Sequence, residues 1–127
     1  MVSLTDCGQE LKRAAFLVFS ALAASNETTR KRVAEVEGLV EQVVKCSAMP
    51  SPRLVYAALR LLHSMSRSIQ QLRTIFKDHN IWETVLAALK GKHGLPVTVI
   101  ASAILANVSV EFSPCHLVSL SVYVLFR

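Results

Sequence analysis

Apolar residues in this chain recur at helical spacing, and the pattern itself repeats every 43 residues. Within residues 10–25 they occupy positions 11, 15, 18, 19 and 22, the i, i+4, i+7, i+8 and i+11 spacing of one helix face. This repetition predicts an all-α chain of stacked helical units. The aligned positions are Ala15, Ala58 and Ala101; Val18, Leu61 and Ile104; Phe19, Leu62 and Leu105; and Leu22, Met65 and Val108.

Each period contains three predicted helices. In the first unit, a long helix over residues 10–25 is followed by a short helix over Glu27–Glu37, with Asn26 as its N-cap, and by a third helix over Leu39–Lys45. Gly38 separates the last two because glycine tolerates the positive φ that a sharp corner often requires. The later predicted helices are Arg53–Ser66, Ile69–Asp78, Ile81–Lys90, which aligns at an offset of 42, and Val97–Val110.

Proline and glycine mark the unit boundaries. The run Met49-Pro50-Ser51-Pro52 cannot lie inside a helix, because proline lacks the amide donor and clashes with the preceding turn. Gly91, Gly94 and Pro96 close the second unit in the same way. The predicted organisation is an irregular end over 1–9, repeat units over about 10–51, 52–95 and 96–114, the last incomplete, and an atypical apolar tail over 115–127.

Length and composition limit what such a chain can do. Only about two and a half units fit in 127 residues, whereas repeat arrays need about three or more for independent stability, so we expect apolar surface at one or both ends. No apolar run reaches the roughly 18 residues that span a bilayer, so no membrane role is expected. The three cysteines are widely and irregularly spaced, which favours reduced intracellular thiols over a disulfide framework.

The net charge of +5 is modest, and the basic residues are spread among the helices. Aromatic residues make up 6% of the chain and sit at core spacing, whereas a base-stacking surface would place them among basic residues. Nucleic acid is therefore not favoured as a ligand. An acidic segment of a partner protein is the preferred interpretation of the positive charge.

A secretory signal is an alternative reading of the N-terminal region. Lys12 and Arg13 precede an apolar run, and Ala21 and Ala23 form an A-x-A cleavage motif. Against this, the same apolar pattern returns at 57–65 and 100–108, where no signal could act. A helix of the repeat array is the favoured interpretation.

Three continuous segments carry a resemblance to a known family: ELKRAAFLVFSALAASNETTRKRV, RLVYAALRLLHSMSRSIQQLRTIFKDHNIW and VIASAILANVSVEFSP. A period of 40–47 residues is typical of armadillo and HEAT arrays. The segments resemble armadillo repeats, and in particular the armadillo scaffold subunits of CTLH (GID-type) E3 ubiquitin ligase complexes. The resemblance covers about Glu10 to Pro114 and is strongest over Leu59–Trp82.

The resemblance implies a right-handed α-solenoid and a non-enzymatic scaffold that helps to assemble the ligase for proteasome-dependent degradation. It implies other ligase subunits as partners and a cytoplasmic and nuclear location. It also implies that the long helices line a concave face, where Asn107 occupies the position of a ligand-binding asparagine. Ser64 and Ala21 stand at the equivalent positions of the earlier units, so most of the asparagine ladder is absent.

Arg53, Arg60 and Arg67 are spaced by seven residues and therefore share one side of a long helix, with a drift of about 20° per step. On a concave face they would form a basic strip able to bind carboxylates through forked hydrogen bonds. The alternative is a solvated helix face. The candidate protein-binding residues are Arg53, Arg60, Ser64, Arg67 and Asn107.

Nothing in the sequence indicates catalysis, a cofactor or a metal. The four histidines, His63, His79, His93 and His116, show no spacing that would place three on one ion. The sequence therefore predicts a protein that is not an enzyme. An α-solenoid that binds nucleic acid or acidic surfaces is the alternative function, and a secreted protein is a third possibility.

Overall fold

The computed structural model describes residues 8–111, and every regular element within that range is a helix. This confirms the all-α prediction. The predicted apolar tail over 115–127, and nearly all of the irregular end over 1–9, lie outside the described residues. The helices are α1 (Gln9–Ala23), α2 (Glu27–Ala34), α3 (Leu39–Ser47), α4 (Pro52–Met65), α5 (Ile69–Gln71), which continues as a π-helical stretch over Leu72–Phe76, α6 (Ile81–Lys90) and α7 (Leu95–Glu111).

The helices form two layers. The long helices α1, α4 and α7 lie side by side in chain order, and α3 and α6 pack against each other in the second layer. α3 also packs on α4, and α6 packs on α7, while α2 packs on α1. Each unit therefore contacts its neighbours along one axis, which is the arrangement of an α-solenoid.

Local chemistry accounts for where the helices begin. The Asn26 side chain accepts a hydrogen bond from the Thr29 amide at 2.8 Å, as the sequence predicts for the N-cap of α2. The Ser51 hydroxyl accepts from the Leu54 amide at 3.4 Å, and Pro52 occupies the first turn of α4, where no amide donor is needed. The proline run is thus a helix start as well as a unit boundary.

A π-helical stretch in the second unit was not predicted. The N-caps Asn26 and Ser68 are 42 residues apart, whereas the buried residues Val33 and Phe76 are 43 apart. A π-turn uses one residue more than an α-turn. The stretch over Leu72–Phe76 therefore absorbs the extra residue and keeps Phe76 in the core.

The core lies between the two layers and between the long helices. Phe16 of α1, Leu59 of α4 and Ile104 of α7 are fully buried. Ala58 and Ala101, two members of the alanine series, are buried as well. Their small side chains allow the long helices to approach closely.

The apolar stripe predicted on α1 is not the side by which α1 packs. Leu11, Val18 and Leu22 are exposed, while Phe16 and Ala23 are buried. α1 is the first described helix of its layer, and its far side has no described neighbour. This agrees with the expected apolar surface at one end of the array.

Arg30 ties together three elements. Its Nε donates to the carbonyl oxygen of Ala23 at the end of α1 at 2.9 Å, and its NH1 contacts Glu27 at 2.6 Å. Ser68, ahead of α5, donates to the same carboxylate at 2.6 Å. The hydrogen bond from Ser68 and the charge of Arg30 hold the pKa of Glu27 below its ordinary value, against the effect of burial. Arg30 therefore has a structural role, whereas Arg73, which stands one period later, is exposed.

Replacing Gly38 by alanine should reduce the free energy of unfolding by about 1–2 kcal/mol. Gly38 has a φ of 76°, which places it in the left-handed region where a Cβ meets the following carbonyl. Gly38→Asn should cost less, because asparagine tolerates this conformation better. Urea denaturation measures both changes, and equal stability of all three proteins would contradict the assigned corner.

Candidate protein-binding surface on α4

One side of α4 carries basic and aromatic residues, and the opposite side is buried. The outer side comprises the exposed Arg53 and Arg60 and the half-buried Tyr56 and His63, and the exposed Arg67 continues it in the turn after the helix. Their spacing of three and four residues places them along one line. We call these five residues the α4 strip. The structure thus brings together the three arginines that the sequence analysis selected.

Arg60 is held against a neighbouring ring. Its guanidinium carbon lies 5.9 Å from the centre of the Tyr56 ring, and its NH1 donates to the Tyr56 hydroxyl at 3.2 Å. The residues are one turn apart, so the contact is local to α4. Arg60 consequently presents its guanidinium in a restricted orientation.

The positive charge of the α4 strip is not neutralised within the described part of the chain. Two salt bridges in residues 8–109 join Arg13 to Glu10 and Arg30 to Glu27. None of Arg53, Arg60 and Arg67 has a carboxylate partner in that range. All three side chains therefore remain able to meet an anionic group from outside.

His63 lies within this basic environment. Burial, followed by the charges of Arg67 and Arg60, lowers the pKa of His63 below its ordinary value. All three effects disfavour the imidazolium form. His63 is therefore neutral at pH 7 and becomes a further positive group only in acid.

The lowered pKa predicts acid sensitivity. Because the folded state binds the proton less tightly than the unfolded state, His63 should reduce stability as pH falls from about 6.5 through its lower folded pKa. Above about 6.5 it should have no such effect, because the imidazole is neutral in both states. Thermal midpoints measured across this window should fall less for His63→Gln than for the unaltered chain. Identical pH profiles for the two proteins would rule the effect out.

Ser64 is not on an open surface. It is 6% exposed, and its hydroxyl lies 3.0 Å from the Ser20 hydroxyl of α1. Ser20 also donates to the carbonyl oxygen of Arg60 at 3.1 Å. The hydroxyl pair joins α1 to α4. Ser64 therefore stabilises the packing of the helix that carries the α4 strip, and its own side chain is not available to a partner.

Asn107 plays a similar part between α4 and α7. Its Nδ2 donates to the Ser66 hydroxyl at 2.9 Å, and Ser66 donates to the carbonyl oxygen of His63 at 2.7 Å. Ser64 and Asn107, 43 residues apart, therefore both connect a long helix to the one before it. Asn107 is half-buried, and its contact with a ligand stays a prediction.

Tyr56 and His63 belong to the α4 strip but were missed by the sequence analysis. Spacing by seven selects every second turn and passes over the residues between. A search at three and four residues from each arginine would have found both, because these positions share the helix face.

A metal site, a reactive cysteine and a membrane-spanning helix have little support within the described residues. Among residues 8–109, no three His, Cys, Asp or Glu side chains group as a metal site would require. Cys46 is buried in α3, and burial raises the pKa of its thiol, which therefore remains protonated. None of the helices across residues 8–111 combines the length and the apolar character needed to cross a bilayer.

Comparison with known proteins gives consistent relatives. The chain is 41% identical over 105 residues to armadillo repeat-containing protein 8 of Mus musculus, and 40% identical over the same length to the proteins of that name from Pongo abelii and Danio rerio. Each match covers 83% of this chain and 16% of the relative. Over these residues the chain is similar to armadillo repeat proteins. The resemblance of the sequence to armadillo repeats and the armadillo-type solenoid are thereby confirmed.

These armadillo relatives are much longer than the aligned region, since the chain spans about a sixth of their length. No family model matches the chain, and no solved structure matches it. The armadillo family favours a surface for other proteins, because stacked repeats create extended binding faces. The α4 strip lies on the middle helix of the long-helix layer and is the natural candidate for that surface.

Proposed function

We propose that this chain is a segment of a non-enzymatic armadillo scaffold that binds an acidic segment of a partner protein along the α4 strip. The observation that carries the proposal is the set of three arginines without carboxylate partners on one side of a packed helix. Arginine pairs with carboxylates through two parallel hydrogen bonds, so a row of arginines fits a segment rich in Asp or Glu.

The packing of α4 favours binding at low entropic cost. α1 and α7 flank the helix, and Leu59 and Leu62 anchor it in the core. The contact with Tyr56 restricts Arg60 before any partner arrives. A surface that is ordered in advance loses less conformational freedom on binding.

We further propose that the scaffold works within a CTLH (GID-type) E3 ubiquitin ligase complex, in ubiquitin-dependent degradation, in the cytoplasm and nucleus. The support is the resemblance over Glu10 to Pro114 and the identity to armadillo repeat-containing protein 8. A scaffold role is consistent with the repeat architecture, because stacked repeats present an extended contact surface to other proteins. The partners under this proposal are other ligase subunits.

Nucleic acid binding is the second candidate, and the three arginines without carboxylate partners in the described range, together with the net charge of +5, favour it. The two functions differ in their response to salt. Binding to phosphates weakens steeply with salt because condensed counterions are released, with a slope close to the number of phosphates contacted. Binding to the carboxylates of a protein segment also weakens with salt, but less steeply, because no condensed counterions are released from it.

The proposed function is tested by purifying the tagged chain from cells, alone and within a full-length relative, with nuclease treatment. We expect ligase subunits to be recovered in both nuclease-treated and untreated samples. Loss of all partners on nuclease treatment, with a steep salt dependence, would favour nucleic acid binding. Absence of ligase subunits from every sample would overturn the assignment to a ligase.

A further inference from the structure

His63 stands between two arginines of the α4 strip. Arg60 is three residues before it and Arg67 is four residues after it, so the three residues lie in line. His63 is half-buried, whereas both arginines are exposed. Its imidazole makes no hydrogen bond or ion pair with any residue between 8 and 109. The ring is therefore open to an anionic group of a partner that binds the two arginines.

The free chain disfavours a proton on His63. Burial, and after it the charges of Arg67 and Arg60, lower the pKa of His63. A carboxylate that pairs with either guanidinium cancels part of this repulsion, and it attracts the imidazolium as well. The affinity of His63 for a proton therefore rises when an acidic segment occupies the α4 strip.

We propose that His63 is a proton-linked contact of the α4 strip, which takes up a proton when an acidic segment binds, so that binding tightens as the pH falls. This inference rests on the proposed function, because the ligand is the same acidic segment. The linkage is reciprocal, since a ligand that favours the protonated form is bound more tightly by that form. The gain in affinity is absent well above the pKa of the bound state and complete below the pKa of the free state.

α1 and α7 flank α4 and carry their charged residues toward their own ends. α7 has no charged residue from 95 to 110, and Glu111 follows at its end. α1 meets α4 at Ser20, whose hydroxyl donates to the carbonyl oxygen of Arg60 at 3.1 Å. The charged residues of α1 come seven or more positions earlier, about 10 Å or more along the helix, and are Glu10, Lys12 and Arg13.

α2 and α3 pack on the side of α4 that faces away from the strip, where they line an apolar pocket with Leu61, Leu62 and Met65. In α2, Glu27 forms a salt bridge with Arg30 at 2.6 Å. The other charged residues of these two helices are exposed, and they are Lys31, Arg32, Glu41 and Lys45. Among the described residues, the charges that bear on His63 are therefore those of the strip itself.

Binding of an acidic probe peptide at two pH values tests the proposal. The probe is a labelled peptide of about eight aspartates, whose carboxylates stay ionised at both about pH 5.5 and about pH 7.5. Fluorescence anisotropy at constant ionic strength measures its Kd for the full chain, and circular dichroism checks the fold at each pH. We expect the Kd to be at least threefold lower at the lower pH.

Two histidine variants separate His63 from the rest of the chain. His63→Gln should bind the peptide with a Kd that changes less than twofold between the two pH values. His79→Gln is the matched control, because it removes an exposed histidine from the turn before α6, and it should keep the full pH dependence. A pH dependence that persists in His63→Gln would overturn the proposal.

Nuclear magnetic resonance reports the proton on His63 directly. The Cε1–H signal of His63, assigned by its loss in His63→Gln, should titrate with a midpoint at higher pH when the peptide is bound. Peptide binding with equal Kd at both pH values, or with an unchanged midpoint, would overturn the proton-linked contact and leave the proposed function standing. No binding of the peptide at either pH would overturn both.

Discussion

Replacing Leu62 by alanine should lower the free energy of unfolding by about 2–5 kcal/mol, the usual range for a fully buried leucine. Leu62 is 2% exposed and lies in the middle helix of the long-helix layer, with α1 and α7 on either side. It also lines an apolar pocket together with Val43 of α3. Truncation therefore removes apolar contacts and leaves a cavity that packed neighbours cannot fill. Urea denaturation followed by circular dichroism measures the change.

Leu11→Ala is the matched control, because it deletes the same atoms from an exposed position. Its effect on the isolated chain should stay within about 0.5 kcal/mol. A loss below about 1 kcal/mol for Leu62→Ala, or equal losses for the two variants, would mean that the packing of α4 is wrong.

Arg60→Glu should weaken binding of the partner at least tenfold, which corresponds to about 1.4 kcal/mol. The change replaces attraction for a carboxylate by repulsion at the centre of the α4 strip, and it removes the contact with Tyr56. Arg60→Lys should give a smaller loss, because charge remains while the forked geometry is lost. Quantitative co-purification from cells compares the recovered partner.

Arg32→Glu is the matched control for Arg60→Glu. It makes the same charge reversal at an exposed position of α2, away from the α4 strip. Both variants should retain the helical content and melting temperature of the unaltered chain. Equal recovery of the partner with Arg60→Glu and Arg32→Glu would mean that the α4 strip is a solvated helix face and not a binding surface.

Local features of the fold could be predicted from the sequence. The Asn26 cap and the Gly38 corner depend on a few neighbouring atoms, and the residue types alone limit the conformation. The order of the helices follows from apolar periodicity, which marks the side of each helix that is suited to contact, although Leu11, Val18 and Leu22 of α1 remain exposed. The three arginines of the α4 strip could be predicted to share one side of a helix, because their spacing of seven residues is nearly two turns.

Features that depend on how helices meet could not be predicted. Ser64 was placed on the binding face by its alignment with Asn107, but the rotation of α4 against α1 turns its hydroxyl toward Ser20. The π-helical stretch adds one residue to a helical turn. An alignment of the units at 42 or 43 residues cannot show which turn contains the added residue. These outcomes are decided by packing between units.

The exposed apolar residues of α1 show a further limit to prediction from the sequence. Leu11 and Leu54 are both leucines at equivalent positions of the repeat, yet Leu11 is exposed and Leu54 is buried. The difference lies in the neighbours, because α3 covers α4 while the far side of α1 has no described neighbour. A repeat pattern therefore predicts which side of a helix is suited to contact, and the array decides whether that contact is made.

Photochemical crosslinking from the α4 strip tests the central claim most directly. Tyr56 is replaced by a photoreactive benzoylphenylalanine, with the same replacement of Arg32 as the control, and each protein is illuminated in cells. We expect adducts from position 56 to an Asp- or Glu-rich segment of a ligase subunit, and no such adduct from position 32. Adducts to nucleic acid from position 56, or protein adducts of equal yield from both positions, would contradict a protein-binding role for the α4 strip.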